Sequence, residues 1–533
     1  MLLSIDAIVL SAYFVTVTLL SIFGLHRLVL VLLYYRHRAS AARAEPALAE
    51  ADCPPVLVQL PVFNERYVVE RLIDAVAQMD WPQDRLFIQV LDDSTDDTVD
   101  IVQAAVERHA ADGLLITHET RADRTGFKAG ALARGLERNN APFVALFDAD
   151  FIPQPDFLHR VMPSLVRHDD VGMVQARWAH LNREQSLLTR AQAVLLDGHF
   201  VMEHGARFRS GRFFNFNGTA GVWRRQAIDD AGGWEHDTLV EDLDLSYRSQ
   251  LAGWRFVYRQ DVAVPAELPE DARAFKSQQH RWAKGSIQAA GKLLGRIWRS
   301  DITLPRKVEA TFHMGNNLAY PLMVALLLLL PLALHFRVRG SLLVGLAVDL
   351  PIFVFATLNL AIFYALSERE VGGWRAFWRR LPLVPFVLAL GASLTPNNAR
   401  AVTEALAGHV SPFVRTPKGG GGAAKRYRLP LNLQTAAELA FGVYYVAALG
   451  YATWRGLWLA VPFLALFGAG FLQLGIGSLL PGRGLSGTAA QPPARAPAPA
   501  AGRTPATGPT PEPPTLPPQP ARSKPGTRAE AGR

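Results

Sequence analysis

Apolar residues gather towards the two ends of the ordered part of the chain and alternate with polar ones between them. Residues 8–24 are almost wholly apolar, His26-Arg27 interrupts them, and residues 28–35 are apolar again. Arg36-His37-Arg38 and Arg43 follow, and no Lys or Arg precedes the run, so residues 1–38 read as an anchor helix rather than a signal peptide. The positive-inside rule then puts residue 36 onward in the cytoplasm. Beyond residue 312, residues 312–336 and 342–366 are each long enough to span a bilayer. Residues 381–394 form a shorter run with Pro382 and Pro385, flanked by Arg375, Arg379, Arg380 and Arg400, and suit an interface better than a crossing. Residues 436–451 and 457–480 complete an expected set of five spans between residues 1 and 480. From residue 481 the chain is rich in Pro, Ala and Gly and is expected to be a disordered tail.

The middle has a different rhythm. Residues 56–61, 86–91, 114–118, 143–147 and 171–176 are strand candidates. Helical periodicity appears at 65–79, from Ser94 or Thr95 as a cap to about residue 111, at 126–138 and at 184–204. Strands alternating with helices predict a mainly parallel sheet covered on both faces, with ligands beyond the carboxyl ends of the strands. Residues 271–298 are basic and amphipathic, with Phe275, Trp282, Ile287, Leu293, Leu294 and Trp298 among Lys and Arg, and fit a membrane surface or a helix packed on the soluble domain.

Composition sharpens the division. Half of the 533 residues are hydrophobic, and the net charge of +8 fits cytoplasmic basic loops. No nucleic-acid motif is visible, so no nucleic-acid partner is expected. The single cysteine, Cys53, excludes an internal disulfide and a thiolate metal cluster.

Polar clusters stand where strands end. Asn64-Glu65 follows the first, Asp92-Asp93 the second, and Asp148-Ala149-Asp150 the fourth. Lys128 lies in GFKAGAL, Glu241-Asp242 in TLVEDLDLSYR, and Gln278, Arg281 and Trp282 in QQHRW. Asp-x-Asp alone is as readily a solvated turn. At the end of a buried strand, beside Asp92-Asp93, it suits Mg²⁺ or Mn²⁺, hard cations that bind through one or two carboxylates plus substrate phosphates. These parts suit sugar transfer from a nucleoside diphosphate: Asp148 and Asp150 for the metal, Lys128 and Arg281 as cationic contacts, Asp242 as the base for the acceptor hydroxyl. Glu241 and Asp242 equally suit a helix N-terminus, favoured by the dipole. The chain has no G-x-x-x-x-G-K-[ST] and no His-Glu-x-x-His, against a nucleotide hydrolase and a zinc protease.

The ordered set Asp92-Asp93, Asp148/Asp150, Val240-Glu241-Asp242 and Gln278/Arg281/Trp282 resembles the processive family 2 glycosyltransferases of the cellulose synthase superfamily. VLDDSTDDT, FDADF, VQARW, FNFNGTAGVWR, AGGW, VEDLDL and QQHRW look most like its cellulose-synthase-like A and C groups. Valine 240 stands where the family pattern has threonine, which leaves the expected base intact. The resemblance implies an α/β GT-A (Rossmann-like) catalytic domain over residues 54–270, facing the cytosol, with helices carrying the QxxRW motif at 271–300 and an α-helical transmembrane region at 306–480. It implies Asn64, Glu65 and Asp93 near the nucleoside, with Asp92, Lys128, Gln278, Arg281 and Trp282 also on the nucleotide-sugar side. Asp148 and Asp150 would lie at the metal and diphosphate, with Asp148 touching the donor as well. Glu241 and Asp242 would be catalytic, and Asn217, Gly218, Thr219 and Trp282 near the acceptor end. PFVRTPK, with Phe413, Val414, Arg415, Thr416 and Lys418, looks like the gating loop of these synthases, within a cytosolic segment 399–430. The implied reaction is inverting, processive transfer of a hexose from GDP-mannose, GDP-glucose or UDP-glucose to a growing β-1,4-linked mannan, glucomannan or glucan in a lipid bilayer. Single transfer to a lipid acceptor is the nearest rival, and a transporter or scaffold with an inactive soluble domain is a rival of another class.

Overall fold

The computed structural model describes residues 4–337, 357–409 and 433–479. Seven strands form one mixed sheet: β1 (Val56–Val62), β2 (Leu86–Asp92), β3 (Leu115–Thr120), β4 (Phe143–Leu146), β5 (Val171–His180), β6 (Gly221–Arg224) and β7 (Arg255–Ala266). The spatial order is β3-β2-β1-β4-β6-β5-β7. β1 pairs in parallel with β2 and β4, and β2 with β3, so their carboxyl ends point one way. β6 runs antiparallel to both β4 and β5, and β5 pairs in parallel with β7.

Both faces of the sheet are buried, which is why its central strands read as nearly continuous apolar runs. Val56, Val58, Leu60 and Val62 pack into one hydrophobic cluster, with Leu72, Ile73 and Val76 of the helix Val69–Ala77. Leu57, Val144 and Leu146 pack into the other, with Leu132 and Leu136 of the helix Phe127–Glu137. This is the period-2 alternation of a strand sandwiched between two helical layers.

The five strands expected from sequence are present, and two more complete the sheet. The aromatic segment 213–223 is mostly an irregular run leading into the four-residue β6, and β7 has twelve residues. The expected cap on the helix Thr98–Ala111 is corrected: Asp97 holds the N-cap position, while the hydroxyl of Ser94 accepts from Asn64 N at 2.8 Å and Thr95 N donates to Asn64 Oδ1 at 2.8 Å. The stretch read as one helix, 184–204, is divided into a short 3₁₀ turn, the α-helix Leu187–Asp197 and the π-helix Gly198–His204.

The amphipathic stretch is a single helix, Ala272–Arg299. Leu293 and Ile297 are buried against Leu243 and Tyr247 of the helix Glu241–Leu251. Phe275 is buried with Val387, Leu390 and Leu474. Of the two surroundings left open for residues 271–298, packing on protein accounts for Phe275, Leu293 and Ile297, while Trp298 stays exposed.

Three described helices are long and apolar enough to cross a membrane: Ile5–Arg36, Leu304–Phe336 and Val461–Leu479. The helices Asn359–Ser393 and Thr395–Leu406 meet at a 43° bend, and count as a fourth only if the bent pair is one span. Most of the expected span 342–366 lies outside the described residues. The helix Leu433–Trp454 is long enough, but polar residues, among them Gln434 and Glu438, dilute its apolar face. Glu438 Oε2 is buried against Lys276 Nζ at 2.9 Å.

Candidate active site

A cleft of about 580 Å³ opens beyond the carboxyl ends of β1, β2 and β4. It is walled on the other side by the helices Glu241–Leu251 and Ala272–Arg299, and its rim includes Ala405, Gly408 and His409. Parallel strands leave the loops that follow them at one edge, and the polar clusters of the sequence sit on those loops.

Asp148 and Asp150 follow β4 and line the cleft. Lys128 Nζ donates to Asp148 Oδ1 at 2.5 Å and to Gly218 O at 2.9 Å, tying the Asp-x-Asp turn to loop 217–220. Burial opposes the Lys128 charge, but Asp148, Glu241 and Asp242 outweigh it and raise its pKa. Asp148 N in turn donates to Thr219 Oγ1 at 2.9 Å. Asp148 and Asp150 supply two hard oxygen-bearing side chains on one turn, a set that fits Mg²⁺ or Mn²⁺ completed by substrate phosphates.

Glu241 and Asp242 open the helix Glu241–Leu251 and face the same space. Burial, reinforced by the charge of Glu241 and only partly offset by Lys128, pushes the Asp242 carboxyl up to about 7. A carboxyl so tuned exchanges a proton near neutral pH, as a general base requires. Gly218 is left-handed at φ +78°, and a Cβ there would lie 3.1 Å from Asp242 Oδ2, so only glycine brings the loop this close.

Gln278, Arg281 and Trp282 also line the cleft. Their spacing of three and four residues puts them on one face of the helix Ala272–Arg299. This helix abuts the start of the helix carrying Asp242: a Cβ on Gly285 would come within 2.5 Å of Val240 Cγ1. Val240, which departs from the family pattern, serves here as a packing residue.

Asn217, Gly218, Glu65 and Asp93 reach the cleft as expected. Arg121 forks onto Asp93, with Nε to Oδ1 at 2.8 Å. Three expected residues are not brought to its walls. Asp92 is 2% exposed and turned towards β3, where its Oδ2 meets His118 Nε2 at 3.0 Å and its Oδ1 accepts from Ser94 N at 2.9 Å. Burial opposes its charge, but these bonds prevail and hold its carboxyl below the ordinary range. Thr219 is fully buried behind the loop, and Asn64 is occupied with Ser94 and Thr95. Phe413, Val414, Arg415, Thr416 and Lys418 lie outside the described residues.

Some cleft residues were not among the expected site residues. Arg124 lies with its guanidinium carbon 3.3 Å from the Phe63 ring centroid, and Trp178, His180 and His236 complete the walls. The signals in the chain were the basic residues of RADRTGFK and the polar end of VQARWAH, both just outside the apolar cores of their elements. A second acidic group, Glu235, Asp237 and Asp244, is close enough to hold a cation, but Lys292 Nζ already contacts all three at 2.5, 2.6 and 3.0 Å.

A family model described as glycosyltransferase like family 2 matches residues 54–285. Glucomannan 4-beta-mannosyltransferase 9 of Arabidopsis thaliana is 34% identical over 464 residues, covering 80% of this chain and 82% of the relative. The chain belongs to the family 2 glycosyltransferases. Within this family 2 glycosyltransferase the more similar stretches are shorter. Glucomannan 4-beta-mannosyltransferase 1 of Oryza sativa subsp. japonica is 46% identical over 274 residues, 50% of this chain and 53% of that one. Glucomannan 4-beta-mannosyltransferase 2 of Arabidopsis thaliana is 45% identical over 282 residues, 51% and 53% respectively. In these two matches the chain spans about half the length of the relative. A solved mannosyltransferase from Pyrobaculum calidifontis is 22% identical with a TM-score of 0.46, covering 68% of this chain and 99% of that one. The mixed sheet is of the GT-A kind expected of the family.

Proposed function

We propose that the protein transfers a hexose, with inversion, from a nucleoside diphosphate sugar to the end of a growing β-1,4-linked polysaccharide of the mannan or glucomannan class. The observation that carries this is the meeting of Asp148, Asp150, Lys128, Asp242, Arg281 and Trp282 in one cleft. A divalent ion held by Asp148 and Asp150 would neutralise diphosphate charge. Asp242 takes the proton from the acceptor hydroxyl, and one such base suffices for a single displacement that inverts the anomeric centre. Lys128 and Arg281 bring positive charge to the leaving diphosphate. The QxxRW face and the names of the relatives support a polymer, and mannose as the sugar. The apolar helices support a membrane-embedded enzyme, with the catalytic domain on the side of the basic cluster after residue 35.

The test is transfer by purified protein in lipid vesicles with Mg²⁺ or Mn²⁺, offered labelled GDP-mannose, GDP-glucose and UDP-glucose separately. A long product cut by a β-1,4-mannanase supports the reading. Label found only in a lipid extract replaces it with single transfer to a lipid.

A further inference from the structure

The helix Ile5–Arg36 carries an exposed apolar stripe that stops at an arginine. Ile22, Leu25, Val29 and Leu32 are exposed at spacings of three and four residues, which puts them on one face of a helix long enough to cross a membrane. Arg36 follows Leu32 by four residues and closes the same stripe, itself exposed. A stripe that meets acyl chains and ends in arginine marks the level of the lipid headgroups. A second element reaches that level. Leu30, Val31 and Tyr34 are buried with Phe363 of the helix Asn359–Arg380, and Val371 packs on the same cluster. Just beyond Val371 the helix breaks at Gly372-Gly373, where Gly373 takes φ +71°, a left-handed value that suits glycine.

The segment after the break has two faces. Trp374 is 55% exposed and Trp378 66%, four residues apart, and exposed Arg375 and Arg379 run beside them at the same spacing. Phe377 and Arg380 are half-buried, with Arg380 paired to the buried Glu368. Side chains tie this segment to the end of the first helix. Tyr35 Oη donates to Glu370 Oε1 at 3.1 Å, the Arg38 guanidinium carbon lies 6.0 Å from the Tyr35 ring centroid, and that of Arg369 lies 4.4 Å from the Trp374 centroid. The surface so formed is positive. Among the described residues no carboxylate pairs with Arg36, Arg38 or Arg375, and Arg379 meets only the exposed Glu184, at 3.4 Å, which Arg190 also holds at 3.0 Å. Such an exposed pair is worth little in water.

We propose that the basic end of the helix Ile5–Arg36 and the segment Trp374–Arg380 together form a binding site for anionic phospholipid. Arg36, Arg375 and Arg379 meet the headgroup phosphates, which the guanidinium fork suits, and Trp374 and Trp378 sit at the acyl boundary, where an apolar ring with one polar tip is at home. A zwitterionic headgroup carries its own cation beside the phosphate, so a cluster of unpaired arginines selects the anionic lipid. The inference rests on the reading of Ile5–Arg36 as membrane-spanning and not on sugar transfer. Lipid binding is measured without turnover, so either reading can fail alone.

The test titrates full-length protein in a neutral detergent with phosphatidylglycerol, with phosphatidylcholine and with glycerol phosphate, and follows the thermal midpoint. A ligand that binds only the folded protein raises that midpoint. Phosphatidylglycerol is expected to raise it by several degrees, while phosphatidylcholine and glycerol phosphate leave it unchanged. Each arginine near the headgroups contributes about fivefold in affinity, so Arg36→Gln/Arg375→Gln/Arg379→Gln moves half-saturation up by about 10²-fold. Trp374→Ala/Trp378→Ala weakens binding by about tenfold. Arg108→Gln/Arg138→Gln/Arg255→Gln removes the same charge from exposed positions of the soluble domain and keeps the wild-type half-saturation. Equal shifts with the two lipids, an equal shift with glycerol phosphate alone, or wild-type half-saturation in the Arg36/Arg375/Arg379 variant overturns the proposal.

Discussion

Asp242→Asn separates stability from activity, because the same burial that tunes the base strains the fold. The Asp242 carboxyl is raised from 3.8 to about 7. The direction of its effect on stability follows from linkage. Between about pH 4 and about pH 7 the folded protein keeps a proton that the unfolded chain has released, so this group's contribution to stability falls as pH rises through that window and is fully lost above it. Roughly three units at ~1.36 kcal/mol each set a ceiling of ~4 kcal/mol, part of which reflects repulsion by Glu241. Asparagine does not titrate. The variant should therefore gain on wild type as pH rises, by several degrees in thermal midpoint between about pH 5 and about pH 8. Its turnover should fall by about 10²–10⁴ through loss of the base, while wild-type kcat/KM climbs with pH through about 7. Thermal scanning of both proteins in one detergent, with initial rates of nucleoside diphosphate release, measures both effects. A midpoint difference independent of pH, or turnover within about tenfold of wild type, refutes the reasoning.

Other perturbations test separate parts of the site. Asp150→Ala should abolish metal-dependent donor binding, as a chelator should in wild type; titration calorimetry with the nucleoside diphosphate and Mn²⁺ reads both, and unchanged affinity would remove Asp150 from the metal set. Gly218→Ala forces a Cβ to 3.1 Å from Asp242 Oδ2 at a left-handed position. It should cost about 1–2 kcal/mol of backbone strain and lower kcat at unchanged nucleotide affinity, measured by steady-state kinetics. Lys276→Met strands the buried Glu438 and should destabilise by about 3–5 kcal/mol, whereas Lys276→Met with Glu438→Leu should recover most of the loss in thermal midpoint.

The sequence by itself determined the family and most of the elements. Five strands of the sheet were legible because strands buried on both faces are short apolar runs bounded by turn residues. The carboxylates were legible because each stands where an apolar run stops, as Asp148 does after Phe147. Gln278, Arg281 and Trp282 share a face by spacing alone.

Other features required the tertiary structure. β6 and β7 were missed because their partners are distant in sequence: β6 fits between β4 and β5, and β7, at the sheet edge, carries the polar stretch Arg259-Gln260-Asp261 in its middle, with Arg259 buried. The neighbouring carboxylates Asp92 and Asp93 look equivalent in sequence, yet strand alternation sends Asp92 to His118 and Asp93 to the cleft and Arg121. The amphipathic stretch 271–298 has the same periodicity whether it meets lipid or protein, and only the fold shows that Leu293 and Ile297 pack against Leu243 and Tyr247. Nor does the local sequence show the contact of His199 with Asn217, since the two lie eighteen residues apart and meet only through the fold. Local pattern fixes which residues are buried and where polar groups leave the core. Orientation, tautomer and pKa depend on neighbours that the chain brings together only when folded.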